Sequence, residues 1–178
     1  VKEGRMVNTD VTSPGATVAL GLMYLQTNNT AVAAHLATPD THFALDYVRP
    51  DFIMLRVVSR FLILWDSVKP TRQWVQEQVP LIIRTYIDGS EAKQKAEEEK
   101  KKKSGQDEKK HDDDGKGNDY DDVDVEAIRQ SFVYICAGAC LSIGFRYVGT
   151  ADAKAQETIS FYLKALLELR QAKTDVAE

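Results

Sequence analysis

Hydrophobic residues recur along this chain with helical spacing, and no stretch alternates polar and apolar residues between turn signals as a half-buried strand does. Residues 15–27 are almost entirely small or apolar, which predicts a helix with Ser13 as its N-cap and Pro14 at its first position. Asn28 and Asn29 interrupt the pattern and can cap a second, alanine-rich helix. The N-terminal part of the chain is therefore predicted to form a helical hairpin.

Two further helical segments are predicted in the middle of the chain. Residues 51–65 form an apolar run with only a narrow polar stripe, so this helix should be largely buried. The stripe consists of Arg56, Ser59 and Arg60. Thr71 can cap the next segment, and Pro80 should kink or split it because proline removes a helical hydrogen bond.

Residues 89–124 form a charged insert that separates these helices from two more. The insert holds 9 lysines and 13 Asp or Glu residues. A segment with so few apolar side chains cannot bury enough surface to offset its ordering entropy, so we expect a disordered linker. Asp124 then caps a predicted fifth helix over 125–148, and Asp152 caps a sixth that ends near Ala172.

An internal repeat relates the two ends of the chain. Residues 15–27 align without gaps on residues 138–150, and five of the thirteen aligned positions are identical. The identical pairs are Gly15 with Gly138, Ala16 with Ala139, Gly21 with Gly144, Tyr24 with Tyr147, and Thr27 with Thr150. A glycine inside a helix costs about 1 kcal/mol relative to alanine, so two glycines per helix indicate close approach of neighbouring helices. A single apolar hairpin cannot bury its own surface, and the repeat therefore implies a larger solenoid.

The first hairpin, GATVALGLMYLQTNNTAVAAHL, resembles a proteasome/cyclosome repeat, or PC repeat. Such repeats occur in the two large non-ATPase subunits of the proteasome base and in the largest subunit of the anaphase-promoting complex, or cyclosome. The segments between the repeats discriminate between these groups, because a tryptophan-bearing stretch is not part of the generic repeat. Three segments of this chain resemble the cyclosome group, namely RPDFIMLR at 49–56, FLILWD at 61–66 and YICAGACLSIGFRYVGT at 134–150.

The resemblance implies an all-α fold of α-α hairpin repeats, of the solenoid or toroid type. It places a PC-repeat hairpin with a Trp-containing helical insertion at 8–88, the disordered linker at 89–124, and a second hairpin at 125–173. It further implies a non-catalytic scaffold that positions the catalytic and substrate-recruiting subunits of a cell-cycle E3 ubiquitin ligase. The alternative within the repeat family is a proteasome base subunit that docks ubiquitin receptors.

Charge and composition narrow the possible partners. The net charge of −4 belongs entirely to residues 89–124, since the rest of the chain carries 14 basic and 14 acidic side chains. A pI near 5.5 without a basic stripe argues against a nucleic-acid partner. The apolar run 52–65 is too short to span a membrane, and no small-molecule substrate is indicated. Because the chain starts at Val1, we expect it to be a segment of a longer protein.

The cysteines are the main candidates for chemistry. Cys136 and Cys140 lie four residues apart, which suits a reduced core helix in a nuclear and cytoplasmic protein better than a disulfide. With a histidine they could instead belong to a small helical metal-binding or enzyme domain, although zinc would need two more ligands. None of the three histidines, His35, His42 and His111, has the spacing of a metal-ligand pair. His35 and His42 suit turns or helix ends. We therefore expect no catalytic residue, metal or cofactor.

Two tryptophans receive different predictions. Trp65 lies inside an apolar run and is predicted to belong to the core. Trp74 lies between glutamines on a more polar helix, so it is either an interface anchor or a core residue.

The remaining motifs have simple structural interpretations. Ser13-Pro14 and Thr38-Pro39 fit the minimal pattern of proline-directed kinases, but both also suit helix ends. The aspartates at 112–114 lack the spacing of a calcium loop. The lysines at 100–103 directly follow an acidic run, which weakens their interpretation as a nuclear-import signal.

Overall fold

The structure is a computed structural model that describes residues 2–3, 6–7, 9–41, 44–45, 48–89 and 125–174. The predictions for His42, His111, Asp124 and the charged insert beyond residue 89 lie outside the described residues. The fold is all-α, as predicted, apart from a two-residue antiparallel pairing near the N-terminus between β1 (Lys2–Glu3) and β2 (Met6–Val7). The helices are α1 Thr9–Met23, α2 Thr30–Ala34, α3 Pro50–Ile63, α4 Arg72–Glu77, α5 at residues 81–89, α6 Val125–Arg146 and α7 Ala153–Thr174.

Helix α1 begins earlier than its proline predicts. It starts at Thr9 and carries Pro14 inside the helix, so the prediction that Ser13 and Pro14 mark its N-terminus is wrong. Proline removes a single N–H donor, and near the start of a helix the loss of that one hydrogen bond is tolerated. The helix can therefore begin a short distance before Pro14. The second helix follows the prediction, because Asn29 is the N-cap of α2 and its Oδ1 accepts the Val32 N–H at 3.1 Å.

Helix α3 is the central element, and its buried face is wider than its sequence predicts. Ser59, assigned to the polar stripe, is fully buried. That part of the prediction is wrong, because neighbouring helices cover two sides of α3. The buried residues of α3 are Ile53, Val57, Val58, Ser59, Phe61 and Ile63.

The segments after α3 break where their capping residues predict. A short 3-10 helix, Trp65–Ser67, follows α3. The Thr71 hydroxyl accepts the Trp74 N–H at 3.2 Å and caps α4. Pro80 then separates α4 from α5, and its carbonyl accepts the N–H groups that open α5. The Asp152 Oδ1 caps α7 as predicted, since it accepts the Ala155 N–H at 2.8 Å.

The described helices form one stack with α3 in the middle. Helix α1 packs on one side of α3 and α6 on the other, α7 packs against α6, and the short α2 packs against α3. The main core joins α3, α4, α6 and α7 around residues such as Ile53, Val75, Ile135 and Ile143. A much smaller cluster under the first hairpin consists of Ala33, Leu36 and Ile63.

Candidate functional site: the glycine-mediated helix stack

The α1–α3 contact is made at Gly21. A Cβ built on this glycine would lie 2.8 Å from the Cα and the Cβ of Ser59 and 3.0 Å from its carbonyl oxygen. Any larger residue would therefore push the two helices apart. Ser59 has a buried hydroxyl that finds no hydrogen-bond partner among the described residues, so its small volume explains its place in this contact.

The α3–α6 contact is made at Gly138. A Cβ built there would lie 2.9 Å from the Met54 carbonyl oxygen and 3.0 Å from the Val57 Cβ. Ala139, the next residue, is fully buried in the main core. The glycine thus lets α6 approach the backbone of α3, which makes α3 the shared neighbour of both repeat helices.

The other two repeat glycines do not mediate helix contacts within the described residues. No described atom outside the local helix lies within 4 Å of a Cβ built on Gly15 or Gly144, so close packing at these two glycines stays a prediction. In the repeat alignment Gly15 matches Gly138, and Gly21 matches Gly144. Each helix therefore uses one glycine of its pair, α1 the second and α6 the first.

The connecting turns of the two hairpins share one backbone conformation. The first connecting turn comprises residues 24–29 and the second comprises residues 147–152. Gln26 and Asn28 have φ values of 60° and 53°, and their counterparts Gly149 and Ala151 have values of 74° and 51°. Such left-handed values are uncommon for residues other than glycine, so their recurrence shows that the repeat is a structural unit.

The hydrogen bonds of the two connecting turns also correspond. The Thr27 hydroxyl donates to the Tyr24 carbonyl at 2.8 Å, and the Thr150 hydroxyl donates to the Tyr147 carbonyl at 2.8 Å. An Asn or Asp cap follows at the same position in each copy, Asn29 in the first and Asp152 in the second. The shared spacing therefore reproduces the threonine bond and the helix cap of the connecting turn in both copies.

The first connecting turn holds the C-terminal end of α3. The Gln26 N–H donates to the Leu62 carbonyl at 2.9 Å, and the Asn28 N–H donates to the Ile63 carbonyl at 2.9 Å. These are among the last carbonyls of α3, which have no partner within their own helix. The Asn28 side chain adds a 2.7 Å bond from its Nδ2 to the Asp66 carboxylate. Sequence reasoning missed this pairing because the two residues are far apart along the chain.

The repeat tyrosines and alanines are used unequally. The Tyr147 hydroxyl donates to the Val68 carbonyl at 3.5 Å, whereas Tyr24 packs half-buried on the small cluster. Ala139 is fully buried, but its counterpart Ala16 is exposed. The second copy is therefore more deeply embedded in the described part of the molecule.

Of the two tryptophans, Trp74 takes the second of its two predicted environments and Trp65 departs from its prediction. Trp74 is only 4% exposed and meets the Phe61 ring edge to face at a centroid distance of 4.8 Å, so it is a core residue and not an interface anchor. Trp65, predicted to lie in the core, is half-buried beside the Arg146 guanidinium, 5.6 Å from the ring centroid. The reason is geometric, because α3 ends at Ile63 and the 3-10 helix turns Trp65 outward.

The cysteines have the environment of core residues. Burial raises the pKa of the Cys136 thiol to about 12, and the neighbouring Cys140 adds to the rise. Burial alone raises the pKa of the Cys140 thiol to about 11. His35 is the C-cap of α2, and its carbonyl accepts from the Arg56 guanidinium at 3.1 Å. Within the described part of the chain, no three His, Cys, Asp or Glu side chains are grouped to hold a metal.

Helix α6 is the apolar centre of the second copy. Its residues Glu126–Arg146 are long and apolar enough to cross a membrane by length and composition alone. Helices in the core of a globular protein have the same properties, and Ile135, Ala139 and Ile143 of α6 are fully buried in the main core.

The stack and its repeated turn define the class of protein, a segment of an α-α hairpin repeat array. The family model described as APC1 fifth domain matches residues 1–178. The chain is 39% identical over 172 residues to anaphase-promoting complex subunit 1 of Mus musculus, covering 97% of this chain and 8% of the relative. The Arabidopsis thaliana protein of the same name is 41% identical over 167 residues, covering 94% and 9%. The Homo sapiens protein of that name is 40% identical over 164 residues, covering 92% and 7%.

This chain belongs to the APC1 fifth-domain family. It spans less than a tenth of the length of these three relatives, whose coverage is 8%, 9% and 7%. The resemblance to the cyclosome group of repeat proteins is thereby confirmed.

Proposed function

We propose that this chain is a non-catalytic scaffold segment of an anaphase-promoting complex, a multi-subunit E3 ubiquitin ligase of the cell cycle. The names of its relatives support this assignment over a proteasome base subunit. Because the chain spans less than a tenth of each of the three, it acts as one section of a much longer polypeptide. Its partners are the other subunits of the ligase and not nucleic acid, membrane or a small substrate, and it is nuclear and cytoplasmic.

The observation that supports a scaffold most directly is the two-sided packing of α3. Helices α1 and α6 approach it through Gly21 and Gly138 at distances that leave no space for a methyl group. Protein interiors packed this closely deform little and transmit displacement. Such a stack can hold other subunits at fixed separations, which is the mechanical requirement of a platform.

The chemistry of the described residues favours the scaffold over a metal-binding or enzyme domain. A nucleophilic cysteine needs a lowered thiol pKa and partial exposure, but burial raises the pKa of Cys136 and of Cys140. The two thiols are thus in environments that suppress thiolate formation.

Affinity purification of the tagged full-length protein from dividing cells tests the proposed function. We expect cullin-like and tetratricopeptide subunits to co-purify, whereas recovery of an ATPase ring would support the proteasome alternative. A Cys136→Ala, Cys140→Ala double variant serves as the matched control for the enzyme alternative. The double variant should retain the same partners and the same ligase activity. Elemental analysis compares the zinc content of the two proteins, and zinc that is bound by the unchanged protein but absent from the variant would contradict the scaffold proposal.

A further inference from the structure

The Ser13-Pro14 motif lies inside α1 and not at its start. Helix α1 begins at Thr9 and contains Pro14, so the motif does not have the helix-end role that would account for it structurally. Ser13 is exposed. An exposed serine followed by proline has the minimal pattern that proline-directed kinases recognise, and the scaffold function makes no use of it.

The turns of α1 that carry Ser13 lack one helical hydrogen bond. Pro14 has no N–H, so it cannot donate to the carbonyl four residues before it. The contact that fixes α1 on α3 is made further along the helix, at Gly21, and Gly15 and Ala16 are exposed. Helix ends with few buried side chains open locally at low cost in free energy. Opening of these turns presents the Ser13 hydroxyl and its flanking backbone to an enzyme.

A cavity of about 360 Å³ lies beside Ser13, between α1, the end of α2 and the first turns of α3. Its basic lining residues are His35, Arg49 and Arg56. No carboxylate side chain of the described residues lines it. A cleft lined by charges of one sign concentrates ions of the opposite sign, so this cavity is suited to an anion.

Both arginines of the cavity have N–H donors available. The Arg56 Nη2 donates to the His35 carbonyl at 3.1 Å, and among the described residues no carboxylate forms an ion pair with Arg56. Arg49 donates to the Asp51 carboxylate through its Nε at 3.1 Å and its Nη2 at 2.9 Å. A guanidinium carries five N–H donors, so each arginine can bind a further acceptor. Phosphate is the anion whose oxygens match this planar group most closely.

We propose that Ser13 is a phosphorylation site and that Arg56, assisted by Arg49, binds the phosphate in this cavity. A proline-directed kinase transfers the γ-phosphoryl group of ATP to the Ser13 Oγ. The bond from the γ-phosphorus to the β–γ bridging oxygen breaks, the Oγ–P bond forms, the hydroxyl proton is released and ADP leaves. The phosphate carries a charge of about −1.5 to −2 and three acceptor oxygens. It joins α1 to α3 at a second point, N-terminal to the contact of Gly21 with Ser59.

The second such motif of the described residues, Thr38-Pro39, has a different setting. Thr38 is half-buried and Pro39 is buried, so an enzyme cannot reach this motif without displacing packed residues. Thr38 lines another cavity, of about 440 Å³, whose two arginines are balanced by Asp40 and Glu77. A phosphate there would lie beside two carboxylates, which repel it. We therefore expect modification at Ser13 and not at Thr38.

Treatment of the full-length protein with ATP and a proline-directed kinase, followed by site-resolved mass spectrometry, tests the modification. We expect phosphate at Ser13 and at least about tenfold less at Thr38, which requires local unfolding to be reached. Absence of phosphate from Ser13 would overturn the proposal. Equal phosphorylation of the two motifs would also overturn it, because the structural setting would then have no influence.

The rate at which a phosphatase removes the phosphate from Ser13 tests the role of Arg56. Arg56→Gln keeps a donor for the His35 carbonyl but loses the charge, so removal should be at least about tenfold faster than in the unchanged protein. Arg56→Lys keeps the charge without the planar fork and should give an intermediate rate. This variant decides the question if Arg56→Gln does not accumulate.

Arg84→Gln is the matched control for these variants. Arg84 lines the cavity beside Thr38 and not the one beside Ser13, so its replacement should leave the rate of phosphate removal unchanged. The same rate in the unchanged protein and in every Arg56 variant would show that the cavity does not hold the phosphate, and would overturn the proposal.

Discussion

The two hairpins of this molecule share a connecting turn but differ in what surrounds them. Both turns place two residues in the left-handed region and cap the following helix with an Asn or Asp side chain. Helix α6 is nevertheless set into the main core, while the first hairpin rests on a cluster of three buried residues. Local sequence thus reproduces the conformation of the repeat, and neighbouring helices determine how strongly each copy is held.

The largest loss of stability is expected when a buried side chain of the main core is truncated. Trp74→Ala removes a buried ring that packs on Phe61, and we expect a loss of about 3–5 kcal/mol in the free energy of unfolding. Trp65→Ala, at a half-buried site, should cost only about 1 kcal/mol, the scale of its contact with Arg146. Chemical denaturation of both variants measures the difference. Equal costs would contradict the assignment of Trp74 to the core.

The four repeat glycines should separate into two that lie in a helix contact and two that face open space among the described residues. Gly21→Leu and Gly138→Leu force side-chain atoms into the backbone of α3, so each should lower the free energy of unfolding of this chain by more than about 2 kcal/mol. Gly15→Leu and Gly144→Leu place the same side chain in open space and should change it by less than about 1 kcal/mol. Thermal unfolding of the four variants tests this, and a large loss at Gly15 would show that the pairs are misassigned.

The thiols of the second copy should give the molecule a pH dependence that the first copy lacks. Burial raises the pKa of Cys136 from 9.0 to about 12, so above pH 9 the unfolded chain loses this proton before the folded one. Stability from this group is fully present below pH 9 and falls as the pH rises toward 12, by at most about 1.4 kcal/mol per pH unit. Cys136→Ala should flatten the fall between pH 9 and 10, measured by urea unfolding. An unchanged slope would show that Cys136 does not contribute, and Cys140→Ala provides the comparison for the second thiol.

The smallest effect on stability is expected when Asn28 and Ala151, which occupy the same position in the two connecting turns, are each replaced by the residue of the other turn. Ala151 adopts a φ of 51°, which costs an L-residue roughly 1–2 kcal/mol and which asparagine tolerates better. Ala151→Asn should therefore stabilise the chain by about 0.5–1 kcal/mol. Asn28→Ala should destabilise it by about 1 kcal/mol or more, because it also loses the bonds to Asp66. Destabilisation by Ala151→Asn would show that the two turns are not equivalent.

Much of the fold could be predicted from residues that act locally. Asn29, Thr71 and Asp152 cap helices because their side-chain oxygens reach an N–H three residues away, and Pro80 breaks a helix because it lacks its own N–H. The repeat could be found because glycine, alanine, tyrosine and threonine recur at the same spacing in both copies. Ser13 and Pro14 misled the prediction, since a proline near a helix start is compatible with either of two boundaries.

The candidate site was only partly predictable. The sequence indicated that glycines mediate helix contacts, but it contained nothing to distinguish Gly21 and Gly138 from Gly15 and Gly144. That distinction depends on which side of each helix α3 occupies. Ser59 and the pairing of Asn28 with Asp66 were missed for the same reason, because both depend on residues that are distant along the chain.

By itself, the sequence determined the helices, their breaks, the repeated turn and the family, since each follows from interactions within a few residues or from resemblance. Only the tertiary structure decided that α3 lies between the repeat helices, that Trp74 is buried and Trp65 half-exposed, and which glycine of each pair is used. The physical reason is that caps and proline breaks act within one or two turns of chain, whereas burial depends on which distant element arrives to cover a face.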